Sequence, residues 1–252
     1  MHQQDPLEQF RYEIKKRANT YRDKKALQRA LRVLHGELIK AKYPYNLFWL
    51  GMPIIQTPTE IHAFQEIVWE VKPDCIIETG IAWGGSILLS ASLLALLEMC
   101  GAIDRGDVIG IDIDIRPHNK KAILAHPLSK KMTMLEGSST NNEIIKKVVG
   151  MIKNKKRVLV RLDSDHTHDH VLAELRAYAP LVSVGSYCVV EDTGIEDQPR
   201  GTVLNRPWGK GNNPRTAVKE FLREDKRFIS DTEISDRLLV ASCPDGFLKR
   251  IA

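Results

Sequence analysis

From residue 75 onward, short apolar runs alternate with longer stretches of helical periodicity. The apolar runs at 75–78, 108–112, 132–136, 158–163 and 186–191 have the near-continuous hydrophobicity of strands covered on both faces. Helical patterns separate them at 84–100, 118–125, 141–153 and 167–179, and another follows at 213–224. Two more strands are predicted at 228–231 and 237–241, with a third candidate at 247–250. Strands alternating with helices predict an α/β domain with a doubly wound, mostly parallel, seven-stranded sheet. Upstream, Thr57-Pro58-Thr59-Glu60 reads as a capping box opening a helix that runs to Val71 and stops before Pro73. Leu27, Leu31, Leu34 and Leu38 recur at helical spacing within a predicted helical stretch over 6–41. Gly36 is a candidate interruption there, and Tyr43-Pro44-Tyr45-Asn46 ends the stretch. The organisation predicted is an N-terminal helical appendage, 1–47, on one domain, 48–252.

At 252 residues a single domain of this kind buries a sizeable core. The longest greasy stretch, 87–99, is interrupted by Ser90 and Ser92 and falls short of the ~20 residues a bilayer-spanning helix needs. The first residues lack the apolar segment of a secretory leader. Cys75, Cys100, Cys188 and Cys243 are far apart and have no zinc-site spacing, as expected of reduced structural thiols. Together these features predict a cytoplasmic protein with no transmembrane segment. The net charge of +5 is concentrated at the N-terminus, where residues 1–42 hold eleven Lys/Arg against five Asp/Glu. Such a segment suits a solvated helix face, or an acidic partner such as a membrane surface or anionic glycan. It is not laid out as a nucleic-acid stacking surface, so no nucleic-acid partner is expected.

The first strand of the alternating region runs into Glu78-Thr79-Gly80-Ile81-Ala82-Trp83-Gly84-Gly85-Ser86. Glycines here let the backbone approach a ligand, and the helix that follows presents free N–H groups. The spacing is not GxGxxG, so the dinucleotide fingerprint is not met. It resembles instead motif I of class I methyltransferases. The second strand ends at Asp112, whose carboxylate suits ribose hydroxyls. The third ends in Glu136-Gly137-Ser138-Ser139, where Ser138 or Ser139 would border an adenine. The candidate cofactor residues are Glu78, Gly80, Gly84, Ser86, Asp112 and Ser138.

The fourth strand runs into Asp163-Ser164-Asp165-His166-Thr167-His168-Asp169-His170, and the fifth into Glu191-Asp192-Thr193. Neighbouring strand ends would crowd these carboxylates, and crowding raises their pKa values unless a cation compensates. Mg²⁺ suits such a set. Asp163, Glu191 and Asp192 are the favoured ligands, with Asp165 competing for the first place. His166 is the candidate general base. A competing arrangement places His166, His168 and His170 with Asp163 or Asp165 around iron, as in a 2-His-1-carboxylate hydroxylase. His168 and His170 read better as surface or capping residues. The Gly- and Pro-rich stretch 205–214 is a candidate lid with Trp208 to stack on a substrate, and Gln56 and Trp49 are candidate lining residues.

These residues together resemble the cephalosporin hydroxylase/rhamnosyl O-methyltransferase family. The resemblance is carried by the run from Leu162 to Leu175, by Tyr178-Ala179-Pro180-Leu181-Val182 continuing to Glu191-Asp192-Thr193, by Glu78-Thr79-Gly80 with Gly84-Gly85-Ser86, by Gly110-Ile111-Asp112, and by Asn213-Pro214 leading to Phe221-Leu222. It covers about residues 48–251. It implies a Rossmann-like class I methyltransferase fold, S-adenosylmethionine and Mg²⁺ as cofactors, and O-methylation of a sugar or natural-product hydroxyl. It also implies a small-molecule or glycan substrate and the metal site at Asp163, Glu191 and Asp192. The family often carries Asn where Asp165 stands, which argues against Asp165 as a ligand. The acceptor does not transfer with the resemblance, and the oligomeric state, a homo-oligomer included, stays open.

Overall fold

The structure, a computed structural model, describes residues 5–199 and 205–252. The chain begins with α1 (Pro6–Asn19) and α2 (Lys25–Lys40), then a 3-10 turn and a small hairpin of β1 (Leu47–Trp49) and β2 (Met52–Ile54). There follow α3 (Pro58–Val71), β3 (Cys75–Thr79), α4 (Gly85–Met99), β4 (Asp107–Asp112), α5 (Pro117–Ala125), β5 (Met132–Glu136), α6 (Asn142–Met151), β6 (Val158–Leu162), α7 (His168–Tyr178) and β7 (Tyr187–Val190). The chain closes with α8 (Pro214–Glu224), β8 (Phe228–Ser230), α9 (Thr232–Leu238) and β9 (Phe247–Arg250).

Seven strands form one sheet in the order β5-β4-β3-β6-β7-β9-β8. Neighbours from β5 to β7 are parallel, whereas β9 pairs antiparallel with both β7 and β8. The sheet is therefore doubly wound and mostly parallel, as the alternation predicts. Its strand order reverses between β3 and β6, and in such sheets the crevice at the reversal is the ligand site. Period-two alternation divides the core: Ile76, Val108, Leu159 and Val189 pack with α3 and α4, while Ile77, Ile109, Val160 and Cys188 pack beneath α6, α7 and α8.

Two predictions about elements are corrected. The stretch 6–41 is two helices, broken at 20–24 and not at Gly36, which lies inside α2. Asn19, Thr20 and Asp23 are poor helix formers, whereas one glycine within a helix costs only about 1 kcal/mol. The strand expected at 237–241 is absent. Residues 232–238 are helical because the Asp231 side chain accepts from the Glu233 N–H, and the seventh sheet strand is β9. The hairpin of β1 and β2, with Leu50 and Gly51 at positive φ, escaped the sequence reading. The helical appendage lies on the body through ion pairs Lys15–Glu233 and Arg22–Asp236.

Gly80 holds the crevice together. Its N–H donates to Ile111 O at 2.8 Å, and Asp163 N–H donates to Thr79 O at 3.0 Å, so β3 is tied beyond its end to both neighbours. Gly80 has φ +90°, and a Cβ there would lie 2.0 Å from the Asp163 carbonyl oxygen. Gly80→Ala is expected to cost at least roughly 1–3 kcal/mol, lowering the thermal midpoint by several degrees. Calorimetry of the purified variant checks this, and an unchanged midpoint would contradict the packing described.

Candidate active site

At the carboxyl ends of β3, β6 and β7 opens a cavity of about 400 Å³. Its glycine side is formed by Gly80, Gly84, Gly85 and Ser86, and its floor by Asp163, His166, Glu191 and Asp192. Ile39, Lys42 and Tyr45 close it from the appendage, and Arg206 and Trp208 from the loop before α8.

The acidic floor follows from register. Arg161 on β6 pairs with Glu78 on β3 and Val189 on β7. Alternation turns Glu78, Arg161 and Glu191 to the same face of the sheet. Arg161 is fully buried over the Phe64 ring, 4.6 Å from its centroid, and both its Nε and one terminal nitrogen lie 2.8 Å from Glu191 Oε1. One guanidinium cannot compensate every acid around it. Burial, reinforced by the charges of Glu191 and Asp192, holds the Asp163 carboxyl well above the ordinary aspartate range. Burial likewise raises Glu191, with Arg161 opposing.

Among the described residues, ligand atoms of Asp163, His166 and Asp192 lie within 4.8 Å of one another. Glu191 lines the same cavity but groups with Glu60 and Cys243, and its Oε1 is held by Arg161. The structure thus brings all three predicted ligands to one floor, with Glu191 set behind the tight group. The set suits a hard divalent cation, because its carboxylates are crowded and incompletely neutralised. Asp192 adopts φ +57°, a left-handed backbone that Asp tolerates better than most residues.

Spacing alone left Asp165, His168 and His170 open, and geometry separates them from the floor. Asp165 Oδ1 accepts from the Thr167 N–H at 2.8 Å and from its hydroxyl at 2.5 Å, fixing the turn that leads into α7. His168 Nδ1 meets Thr216 Oγ1 at 2.8 Å and joins α7 to α8. His170 Nε2 lies 3.1 Å from both Ser139 Oγ and Ser164 Oγ, in a network with buried Glu174. The three histidines do not converge, so the 2-His-1-carboxylate arrangement is not built. His166 alone faces the floor, its Nε2 3.1 Å from Asp192 Oδ2 and its ring edge-on to Trp208 at 4.9 Å.

The cofactor candidates fall into two groups. Gly80, Gly84 and Ser86 line the cavity. Gly84 has φ +91°, and a Cβ on Gly84 or Gly85 would strike Ile123 or the Pro53 carbonyl. The turn is glycine-rich because it packs closely against Ile123 and Pro53, while its backbone borders the cavity. Glu78, Asp112 and Ser138 do not line the cavity. Glu78 is fully buried behind the turn, accepting from Ser90 Oγ at 2.9 Å through Oε2 while Oε1 has no partner. Asp112 Oδ2 accepts from the N–H groups of Ile81 and Ala82 at 2.8 and 3.0 Å, shaping the turn, and Oδ1 accepts from Asp114 N–H at 3.1 Å. A carboxylate has about four acceptor positions, so capacity for ribose hydroxyls remains. Ser138 Oγ is 3.0 Å from Thr140 Oγ1.

Trp49 is not a lining residue: its Nε1 donates to Ser92 Oγ at 3.0 Å and anchors the hairpin on α4. Trp208 lines the cavity with Arg206 over its ring at 5.1 Å, so one face is already covered. The lid candidate is internally hydrogen-bonded from Gly209 to Asn213, and residues 200–204 before it lie outside the described residues. The sequence reading missed Arg161 as a site residue and placed Glu60 only in the capping box, not at the site. The latter caps α3 through the Thr57 N–H and also accepts from the Ser242 N–H at 2.7 Å, bracing the chain next to Glu191. An arginine inside an apolar central strand was the available signal, because a buried guanidinium requires an acid.

The family described as Rhamnosyl O-methyltransferase/CmcI matches residues 41–251. A rhamnosyl O-methyltransferase of Mycobacterium bovis is 29% identical over 219 residues, covering 86% of this chain and 81% of that protein. Another from Mycobacterium leprae is 29% identical over 180 residues, 70% of each chain. Among solved structures, CmcI with Mg-SAM superposes with a TM-score of 0.57 at 18% identity, covering 82% of this chain and 78% of that one. The CmcI apo-structure gives the same score and identity. With the fold shared and the family motif spanning both the glycine turn and the acidic floor, the chain belongs to the rhamnosyl O-methyltransferase/CmcI family.

Proposed function

We propose that this protein transfers the methyl group of S-adenosylmethionine to a hydroxyl of a sugar or glycosylated metabolite, with a divalent cation, Mg²⁺ by preference, held at Asp163, Asp192 and Glu191. The observation that carries the reading is the placement of a crowded, incompletely neutralised acidic floor and a glycine-rich turn on one cavity. The family supplies the reaction class, and its mycobacterial members carry the rhamnosyl O-methyltransferase name.

S-adenosylmethionine supplies a methyl carbon already activated by its sulfonium. The chain's task is therefore mainly positioning, bringing an acceptor oxygen in line with the methyl–sulfur bond. A cation on the floor would lower the pKa of the acceptor hydroxyl. His166 is placed at the floor to take the hydroxyl proton, and Asp192, whose Oδ2 lies 3.1 Å from the His166 Nε2, would stabilise the resulting imidazolium. Trp208 packs edge-on against His166 and holds its ring toward the floor. The appendage residues Ile39, Lys42 and Tyr45 shape the acceptor side and exclude water from it. The Fe(II)-dependent hydroxylase alternative is not favoured, because His168 and His170 are turned into other networks. No described helix is long and apolar enough to cross a membrane. All four cysteines are free, which accords with the cytoplasmic location we propose.

Three outcomes are expected. Asp192→Asn keeps a residue that tolerates the left-handed backbone and removes the charge; methyl transfer at saturating Mg²⁺ should fall at least roughly 100-fold. His166→Ala should lower the rate by roughly 10²- to 10⁴-fold, as a methyl-transfer assay would record.

The third outcome concerns stability without metal. Asp163 and Glu191 are raised in the folded state, so in that state they hold protons that the unfolded chain releases near pH ~4. Their contribution to stability is thus present at low pH and is lost as pH rises from ~4 toward neutrality. In EDTA, Asp163→Asn should lose stability less steeply than the parent over that interval and be at least as stable at pH 7.5. Added Mg²⁺ should raise the parent's thermal midpoint and leave the variant's unchanged. A parent steadily stabilised by rising pH and indifferent to Mg²⁺ would contradict the assignment.

A further inference from the structure

Glu191 and Asp192 follow β7 directly and lead into a 3-10 turn over Thr193–Asp197. This tip of the sheet is held from two sides. On one side runs the segment 242–246. The Gly194 N–H donates to Ser242 O at 2.7 Å, the Val190 N–H donates to Gly246 O at 2.8 Å, and the Thr193 hydroxyl donates to Pro244 O.

On the other side lies α2 of the appendage. His35 Nδ1 is 3.1 Å from Gln198 Nε2, and the Gln198 side chain is buried. An amide nitrogen donates, so Nδ1 is the accepting ring nitrogen. The Gln198 N–H donates to Ile195 O at 3.1 Å, which ties this residue to the turn after Asp192. The imidazole also packs on the turn itself. A Cβ on Gly194 would meet His35 Cε1 at 2.9 Å and Ser242 O at 2.9 Å, so Gly194 is clamped between the appendage and segment 242–246. On α2, a Cβ at Gly36 would stand 3.3 Å from Gln198 Oε1, so a larger residue there would crowd the amide. No residue of α2 is buried, and a directional contact therefore matters to its register on the body.

The clamp lies two residues beyond a strained and repelled group. Asp192 holds φ +57°, and a backbone in that region persists only where its surroundings over-determine it. Its carboxylate also stands among those of Asp163 and Glu191, whose repulsion pushes the tip outward. His35 does not line the cavity, so whatever it does for the floor it does through the tip.

We propose that His35 is a positioning residue for the cation: through Gln198 and Gly194 it seats the tip of β7 and thereby fixes where the Asp192 carboxylate stands. The helical appendage is then part of the machinery that builds the metal site, as well as a wall of the cavity. The inference rests on a cation being held at Asp163, Asp192 and Glu191.

The test measures Mn²⁺ affinity, by loss of the free ion's paramagnetic resonance signal, on the full chain and on His35→Ala, His35→Asn, Gln198→Ala and Leu31→Ala. His35→Ala and Gln198→Ala should bind Mn²⁺ roughly tenfold or more weakly, the usual effect of losing a group that orients a ligand. Asn carries an acceptor oxygen where Nδ1 stands, so His35→Asn should recover most of the affinity. Leu31, one turn earlier on α2, is half-buried and makes no contact with the tip; its truncation loosens the appendage alone and should leave the affinity within about twofold of the parent. Thermal unfolding in EDTA shows that each variant is folded at the titration temperature, and if His35→Ala is not, Gln198→Ala carries the same expectation. Undiminished affinity in the folded Ala variants overturns the proposal. So does a His35→Asn variant as weak as His35→Ala, or equal weakening by Leu31→Ala, which would leave His35 a role in docking the helix only. A parent that binds no Mn²⁺ would instead remove the metal reading, and this proposal with it.

Discussion

The structure depends on like charge gathered at two adjacent strand tips. β6 and β7 run parallel and end together, so Asp163 at the end of one meets Glu191 and Asp192 at the end of the other. Adjacent strands stand only about 4.8 Å apart, so the carboxylates at their tips repel one another. The buried cation supplied by the fold, Arg161, is directed at Glu191 from behind. That leaves Asp163 held toward its protonated form. A floor with this imbalance is suited to a divalent cation, and a buried charge set of this kind is weak evidence for stability on its own. Its place at the reversal of strand order, beside a glycine turn, gives it a functional reading.

Much of the rest of the fold maintains that imbalance. Glu60 braces the segment around Ser242 next to Glu191, Asp165 fixes the turn that aims His166, and Asp112 ties down the amides of Ile81 and Ala82. Gly80 lets the turn after β3 pass against the Asp163 carbonyl, which sets the separation between that turn and the floor. Ile39, Lys42 and Tyr45, ahead of the sheet in the chain, line the same cavity.

The five parallel strands were legible because each is a mostly apolar run followed by turn residues, a pattern that burial on both faces enforces for β3, β4, β6 and β7. The carboxylates were legible as a motif because they follow those runs directly. Two kinds of feature were not legible. Local sequence misled at 237–241, where Leu238, Leu239, Val240 and Ala241 look like a strand but the Asp231 cap upstream makes the preceding residues helical. Facing was hidden as well: Asp163 and Asp165 are two residues apart, and the turn that Asp165 makes onto Thr167 shows that it is committed elsewhere. His166, His168 and His170 likewise look equivalent in sequence, yet they point into three different neighbourhoods. Arg161 was passed over as part of a hydrophobic run, although its charge, buried in the sheet, orients Glu191.

Direct cation binding tests the central claim. Mn²⁺ titrated into the metal-free protein, followed by the loss of its free paramagnetic resonance signal, should show one saturable site per chain. Mg²⁺ should compete for that site, and exchanging both Asp163 and Asp192 for Asn should abolish it. Absence of saturable binding, or binding that survives the double exchange undiminished, would show that the crowded carboxylates serve some purpose other than holding a metal.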